Sequence, residues 1–280
     1  MGGSEERGAD RSPGSFACVP AAAVHRHPFV STTLGMGQFP VGTEESRISP
    51  DDDGDHVMGA TVIAWLTRFP IEEWGQSWAT QGAFEIRFRS HLTAGLALAI
   101  TVETTADSMT FTVADAGNGG GEVFATATAS RFGAATPSAL DSPPVPAEKA
   151  EPRDDQLRDR VLIPVRFRFD AARDLAFDAP MVDSSFWVER GWAHPAWMAS
   201  AANAIIRRNV DFPSPGHWLH AGLRLSMHAP IDDGSLIDLS GRIDELFVGR
   251  RHRFAVAALE ASVDGAPVMS MRNTFAYAPR

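Results

Sequence analysis

Three histidines have surroundings that suit acid–base chemistry near neutral pH. One of them, His194, precedes Pro195 at the predicted start of a helix, in a segment that also contains Trp187, Trp192 and Trp197. An imidazole at that position could act as a general base or donate a hydrogen bond to a carbonyl oxygen. The alternative is that His194 caps the helix or packs among the indole rings.

The second histidine, His56, has a carboxylate as its neighbour. It follows Asp55, the last residue of an acidic run, at the start of another predicted helix. A carboxylate beside an imidazole raises its pKa and fixes its tautomer, so Asp55 and His56 are the closest approach to an acid–base pair in the sequence. The alternative is a solvated helix cap in which the acidic residues complement the helix dipole.

The third histidine, His220, opens a predicted strand together with Trp218. Successive side chains of a strand point to opposite faces, so Trp218 and His220 share a face. If that face meets the central helix, His220 could reach a bound ligand together with His194 or Asn203. The alternative is a histidine at the strand edge, in solvent.

A cluster of cations follows Gly249 at a predicted hairpin turn, where the sequence reads Arg250-Arg251-His252-Arg253. Guanidinium groups bind phosphate groups through charge-assisted hydrogen bonds, which makes Arg251 a candidate for binding a phosphorylated ligand. The alternative is a solvated turn in a protein rich in arginine.

Metal and phosphate-loop chemistry have little support in the sequence. The nine histidines are scattered and form no His-Glu-x-x-His motif. The glycine run from Gly117 to Gly121 lacks the Lys-Ser/Thr of a phosphate loop, and no Gly-x-Ser-x-Gly elbow occurs. We therefore expect no metal ion, no cofactor and no serine hydrolase.

Composition narrows the class of protein further. The chain has 280 residues and a formal net charge of -10, which disfavours binding to nucleic acid or to an anionic membrane. A single cysteine, Cys18, excludes an internal disulfide. No apolar run approaches the ~20 residues that span a bilayer, and the first residues lack the apolar segment of a secretion signal. We expect a cytoplasmic protein.

The elements that must position these residues occur twice. Two sets of four residues correspond, with spacings that differ by no more than two residues: His56, Trp78, Gly82 and Gly95, and His194, Trp218, Gly222 and Gly234. An apolar helical pattern follows each histidine, and a long alternating strand pattern follows the second glycine of each set. The repetition predicts two similar modules, and ligands tend to bind at such an interface.

Each module is predicted to be one helix followed by an antiparallel meander. The helical patterns cover residues 54–69 and 194–209, and Asp264-Gly265 is a strong hairpin signal between the last two strands. Short turns without crossover helices indicate an α+β fold with antiparallel sheet.

The domain organisation follows from composition. We predict a disordered tail over residues 1–30, an N-terminal module over residues 31–134 and a C-terminal module over residues 159–280. Between the modules, residues 135–158 are rich in proline and charge, as is typical of an extended linker.

This arrangement resembles the hotdog fold in its tandem, or double, form, in which each half is a central helix wrapped by an antiparallel β-sheet. The second module, with GWAHPAW, ANAIIRRNVDF, HWLHAGLRL and GSLIDLSGRIDE, resembles MaoC-type acyl dehydratases. The first, with DDDGDHVMGATVIAWL, is similar to the start of the central helix in hotdog acyl thioesterases.

The catalytic motifs of both families are incomplete in this chain. In the dehydratase pattern Gly-Asp-x-Asn-Pro-x-His, Gly191 and Pro195 fit, but the Asp, Asn and His positions hold Trp192, His194 and Trp197. Gly54-Asp55 fits the same pattern in the first module, where Met58 and Ala60 replace the Pro and His. In the thioesterase pattern Met58 replaces the Asn that would polarise the thioester.

The resemblance implies an enzyme that acts on an acyl thioester of coenzyme A or of an acyl carrier protein. We expect a hydratase or dehydratase-like lyase in which a helix N-terminus polarises the thioester carbonyl and a histidine acts as acid and base. The catalytic candidates are Asp55, His56, His194 and His220, and the substrate-binding candidates are Trp192, Trp197, Asn203, Trp218 and Arg251.

Two other functions remain open. One is a thioesterase in which Asp55 and His56 activate water. The other is a non-catalytic acyl-binding or assembly protein with a degenerate site. A further homodimerisation of the two-module chain is also left open.

Overall fold

The computed structural model describes residues 23–30, 57–117, 121–133, 148–175, 184–212 and 219–280. Three predicted site residues, Asp55, His56 and Trp218, lie outside the described residues, as does Cys18.

Ten strands form one antiparallel sheet. They are β1 (Ala23–Val30), β2 (Ala83–Phe88), β3 (Ala97–Thr104), β4 (Ser108–Asp115), β5 (Val123–Ser130), β6 (Val165–Arg168), β7 (Leu219–Met227), β8 (Leu236–Val248), β9 (His252–Val263) and β10 (Ala266–Pro279). Across the sheet their order is β1-β3-β4-β5-β2-β7-β10-β9-β8-β6.

The strand order repeats on the two sides of the contact between β2 and β7. From the outer edge to the centre, one side reads β1-β3-β4-β5-β2 and the other reads β6-β8-β9-β10-β7. Each strand of the second series is five places later in the chain than its counterpart in the first. In both sets the first strand lies at the outer edge of the sheet and the second lies at the centre.

Two long helices pack against each other and share one hydrophobic core with the sheet. They are α1 (Gly59–Trp74) and α6 (Pro195–Asn209). The sheet face whose side chains enter this core is called the inner face below. The short helices are α2 (Gln76–Gln81), α3 (Asp154–Leu157), α4 (Ala171–Asp174) and α5 (Ser184–Arg190).

The helix predictions agree with the structure more closely in the second half. Alanine-rich sequence and Pro195 in the first turn give α6 the predicted range. The first helix begins at Gly59 and continues beyond the predicted end to Trp74. It ends there because Gly75, with φ of 53°, donates its N–H to the Ile71 carbonyl. The predicted α+β class with antiparallel sheet is confirmed.

The predicted disordered tail is wrong for residues 23–30. These residues form β1, which pairs with β3 from Ala23↔Thr104 to Val30↔Ala97. The ladder of backbone hydrogen bonds to β3 offsets the entropy of ordering this segment.

The end of the predicted linker is packed against the second half. The carboxylate of Asp154 accepts hydrogen bonds from the Tyr277 hydroxyl at 2.6 Å and from the Arg253 guanidinium at 2.7 Å. The backbone of Ala150 also bridges to Val210. These contacts fix residues 148–157 in place, whereas a free linker was expected there.

The contact between β2 and β7 joins the two sets of strands. Ile86 pairs with Leu223, both side chains are buried, and the carboxylate of Glu85 accepts hydrogen bonds from Arg224 on the opposite face. Gly222 lies so close to β2 that a Cβ on it would be 2.7 Å from the Ile86 carbonyl oxygen. Only a residue without a side chain allows this approach.

Within the described part of the chain, no helix has the length and apolar composition needed to cross a lipid bilayer.

Replacing Gly222 by alanine is expected to lower the free energy of unfolding by about 1–3 kcal/mol, because the new methyl group must push β7 away from β2. Gly117→Ala is the control, since the three atoms nearest to its Cβ would all belong to the Asp115 carboxyl group, the nearest at 3.2 Å. Denaturant unfolding of both variants measures the difference. Equal stability of Gly222→Ala and the wild type would contradict the close approach.

Candidate active site

The backbone N–H groups in the first turn of α1 donate no hydrogen bond to the side chain of the N-cap residue. That residue, Met58, makes no side-chain capping hydrogen bond, and the first turn contains no acidic residue. The preceding Val57 is held by a hydrogen bond from its N–H to the Leu92 carbonyl, at 2.9 Å. A helix N-terminus of this kind carries partial positive charge and attracts an anionic or polarised oxygen.

His220 of β7 lies directly on this helix N-terminus. A Cβ on Gly59, the first residue of α1, would be 2.7 Å from Nδ1 of His220 and 2.8 Å from the ring of Phe88. The His220 and Phe88 ring centroids are 5.0 Å apart. Gly59 therefore allows an imidazole from the second half of the chain to contact the helix of the first half.

Burial controls the protonation of His220. The residue is half-buried, but both ring nitrogens are shielded from solvent. Desolvation lowers the pKa of His220 to about 4, against a smaller opposing contribution from the backbone of Gly222. At neutral pH the imidazole is uncharged, and it can accept a proton or share a hydrogen bond.

An asparagine of β10, the strand next to that of His220, is hydrogen-bonded to an asparagine of α6. Asn273 of β10 donates from Nδ2 to Oδ1 of Asn203 on α6, at 2.7 Å. Asn273 pairs with Leu223, and Phe275, two residues further along β10, pairs with His220. The register thus places Asn273 and His220 on adjacent strands, two residues apart along the ladder, and Asn203 contacts Asn273 from α6.

Asn273 was missed by the sequence analysis. It is fully buried, and its Oδ1 atom has no hydrogen-bond partner among the described residues. A buried amide oxygen without a partner is costly, so this atom is a candidate acceptor for a ligand or a water molecule. The sequence feature that could have identified Asn273 is its inward-facing position in β10, between the buried residues Met271 and Phe275.

His194 occupies the N-terminus of the other long helix. Its Nδ1 accepts the N–H of Ala196 at 2.9 Å, and its Nε2 lies 3.4 Å from Oγ1 of Thr67. The ring is fully buried and packs against Trp187 with centroids 5.2 Å apart. Because Nδ1 accepts, the neutral ring carries its proton on Nε2. These contacts match the alternative in which His194 caps the helix and packs among indoles.

The remaining predicted residues are dispersed. Trp197 is buried between Phe167 and Phe169, whose ring centroids lie 5.5 and 5.0 Å from its own. Trp192 is half-buried, and its backbone bridges to Asp232. Arg251 is exposed in the turn between β8 and β9. Of the predicted set, Asn203 is bonded to Asn273 on β10, the strand next to that of His220.

Among the described residues, no group of three or more His, Cys, Asp or Glu side chains is arranged so that it could hold a metal ion.

Solved structures similar to this chain include proteins named as thioesterases and as dehydratases. A proposed oleoyl thioesterase from Lactobacillus plantarum superposes with a TM-score of 0.52 at 10% identity, covering 94% of this chain and 99% of that one. A GphF dehydratase variant superposes with a TM-score of 0.51 at 14% identity, covering 94% and 96%. A MaoC-like dehydratase has a TM-score of 0.48 at 13% identity, covering 77% and 83%. No protein-family model matches the sequence, and no curated protein matches it.

The two likenesses with TM-scores above 0.5 confirm the predicted resemblance to hotdog-fold dehydratases and thioesterases. At this level of identity they establish the fold.

The low pKa of His220 predicts a specific dependence of stability on pH. Between its ordinary pKa of 6.5 and about 4, the unfolded chain binds a proton that the folded protein excludes, so stability falls as pH falls through this range. Between pH 7 and pH 5 this group should remove about 2 kcal/mol from the wild type. A His220→Phe variant should lack that component.

Unfolding free energies of wild type, His220→Phe and the exposed-histidine control His25→Gln at the two pH values measure this component. An identical pH dependence in wild type and His220→Phe would show that the ring is not buried as described.

Proposed function

We propose that the chain is a tandem hotdog whose halves are β1–β5 with α1 and β6–β10 with α6. The repeated strand order and the central β2–β7 contact support this arrangement. The predicted module boundaries, residues 31–134 and 159–280, then change in both halves: β1 is added to the first, and residues 148–157 pack against the second.

We further propose that the protein is an enoyl-thioester hydratase or dehydratase-like lyase whose active site lies at the N-terminus of α1. The single observation that carries this proposal is the contact of the neutral, buried imidazole of His220 with Gly59. This contact brings the partial positive charge of the α1 N-terminus and a proton acceptor together at a position that is shielded from solvent.

The two helix N-termini differ in the donors that they offer. In α6 the first helical residue is Pro195, which has no N–H, and the Ala196 N–H is used by His194. In α1 the corresponding residues are Gly59 and Ala60, and their N-cap residue supplies no side-chain acceptor. This asymmetry favours α1 as the end that polarises a substrate.

The proposed hydration uses these groups in order. The thioester carbonyl oxygen faces the first turn of α1, whose N–H groups and dipole stabilise the negative charge of the enolate. His220 removes a proton from water as the water oxygen bonds to Cβ of the enoyl group. The resulting imidazolium then returns the proton to Cα. Dehydration follows the same steps in reverse.

Asn203 and Asn273 could bind the other polar groups of the substrate in this mechanism. Asn273 holds the amide oxygen of Asn203, so that the Asn203 nitrogen remains as a donor, while Asn273 Oδ1 is an acceptor. The β-hydroxyl group of the hydrated product needs such partners, and a saturated acyl chain does not.

A thioesterase is the second candidate because the same helix N-terminus would polarise the carbonyl for attack by water. That reaction calls for a carboxylate beside the attacking water. No described carboxylate contributes to the pKa of His220, and Asp55, the carboxylate predicted for that role, lies outside the described residues.

A panel of 2-enoyl and saturated thioesters tests the proposal, with enoyl absorbance and free thiol followed in the same samples. We expect loss of enoyl absorbance without thiol release. His220→Gln should lower the rate by about 100-fold or more, since it removes the base. Gly59→Ala should also lower it, since the new methyl group displaces the ring.

His194→Asn is the matched control, because asparagine keeps a side-chain acceptor at the N-cap of α6. It should retain the rate. Thiol release in place of hydration would support the thioesterase. Binding without turnover would indicate an acyl-binding protein, and full activity of His220→Gln would overturn the assigned site.

A further inference from the structure

The edge of the sheet formed by β8 is covered along only part of its length. Strand β6 pairs with residues 236–239 at the start of β8. Further along, the Ile243 N–H donates to the Arg160 carbonyl at 2.8 Å. Beyond that point, residues 244–248 have no backbone partner on this side within the part of the chain that the structure describes. These residues, called the β8 edge segment below, can therefore accept another strand.

The backbone groups of Leu246 and Val248 point toward this open side. The Gly249 N–H donates to the His252 carbonyl at 2.8 Å, so the peptide groups of Gly249 face β9. The register of β8 with β9 has no shift in this region. Because the N–H and C=O of one residue point the same way and alternate along a strand, Phe247 also faces β9, and its two neighbours face the open side.

The side chains of the β8 edge segment are apolar and exposed at its end. Phe247 is 40% exposed and Val248 is 55% exposed. The Phe247 ring stacks on that of Phe254, its cross-strand neighbour on β9, with centroids 5.1 Å apart and an interplanar angle of 15°. Natural sheet edges usually carry charges or a proline that oppose pairing, as β1 does at the other edge with Arg26 and Pro28. The apolar end of β8 lacks this protection.

The charges on the two sides of Phe247 make the segment complementary to itself. Asp244 and Glu245 precede the apolar residues, and Arg250 and Arg251 follow them. Both arginines are exposed, and neither makes an ion pair with a described residue. A second copy of the segment in antiparallel orientation sets each acidic end against a basic end, whereas a parallel copy would set like charges together.

We propose that the chain forms a homodimer in which the β8 edge segments of two copies pair as antiparallel strands about a twofold axis at Phe247. In this register Leu246 of one copy and Val248 of the other exchange N–H···O=C hydrogen bonds. Phe247 then faces its own counterpart in a non-hydrogen-bonded pair, and Asp244 lies opposite Arg250 of the second copy. The sheets of the two copies become continuous. This proposal does not depend on the proposed function.

A cysteine at the twofold axis tests the register. Facing Cα atoms of a non-hydrogen-bonded antiparallel pair are ~4.5 Å apart, within the range of about 4.4–6.8 Å that a disulfide spans. In a Cys18→Ser background, Phe247→Cys should therefore form a disulfide-linked dimer on mild oxidation. Val188→Cys, at an apolar position that is 52% exposed elsewhere, should not. Equal cross-linking of the two variants, or none in Phe247→Cys, would overturn the register.

Sedimentation velocity of the full chain from low to high micromolar concentration tests the association itself. A strand pair of this length lies at the small end of protein interfaces, so the dimer should dissociate on dilution. Val248→Pro removes an N–H on the open side, at an edge position where proline is tolerated, and should weaken association about tenfold or more. A wild type that is monomeric at every concentration would overturn the proposal.

Phe247→Glu is a second variant that leaves the backbone groups of the segment unchanged. It places two carboxylates opposite each other at the axis, and like charges in facing positions are destabilising, so association should again weaken about tenfold or more. Val188→Glu adds the same charge at the other exposed apolar position and should associate as the wild type does. Wild-type association of both Phe247→Glu and Val248→Pro would place the dimer contact elsewhere and overturn the proposal.

Reversing the basic end tests the charge complementarity separately. Arg250→Glu/Arg251→Glu sets acidic ends against each other in the antiparallel dimer and should weaken association about tenfold or more. Arg26→Glu/Arg89→Glu makes the same change in net charge at two other exposed arginines and should have little effect. An equal effect of the two double variants would show that only net charge matters and would overturn the antiparallel orientation.

Discussion

The contact between the His220 imidazole and the backbone of Gly59 is the constraint on which the functional arrangement depends. It joins a strand of one half to a helix of the other, so it exists only because β2 and β7 pair at the centre of the sheet. Burial of the imidazole at this place lowers its pKa. Gly59 thus allows the His220 ring to contact the N-terminus of α1, and the proposed chemistry depends on that contact.

The two long helices illustrate how similar elements can take different roles. In α6, Pro195 and His194 consume the donors of the first turn, and the buried ring contacts Thr67 of α1. This end is a packed connection between helices. In α1 the first turn faces His220 instead, and its own N-cap residue provides no acceptor. An end without such an acceptor is less stable and more available to a ligand.

Local patterns predicted much of the fold. The Ala-rich run with Pro195 predicted α6, Asp264-Gly265 predicted the last hairpin, and alternation predicted the antiparallel strands. The strand β1 was missed because its order comes from pairing with β3, a partner more than sixty residues away in the chain. The end of α1 at Trp74 depends on the positive φ of Gly75, which the periodicity of apolar residues does not show.

The site was only partly predictable for the same reason. From the sequence, His194 and His220 could each be either a catalytic residue or a structural one. Which role each has depends on the helix N-terminus that its ring contacts. Asn203 was predicted, but its partner Asn273 was not, since one inward asparagine in a strand carries no signal of its own. The roles of these residues depend on tertiary contacts, which local patterns in a single sequence do not reveal.

The most direct test of the central claim is the infrared carbonyl band of a bound enoyl thioester labelled with ¹³C at its carbonyl carbon. If the first turn of α1 polarises the carbonyl, the band should move to lower wavenumber on binding to the wild type. The shift should shrink in Gly59→Ala and persist in His194→Asn. A bound thioester whose carbonyl band stays at its position in water, or shifts equally in Gly59→Ala, would contradict the account.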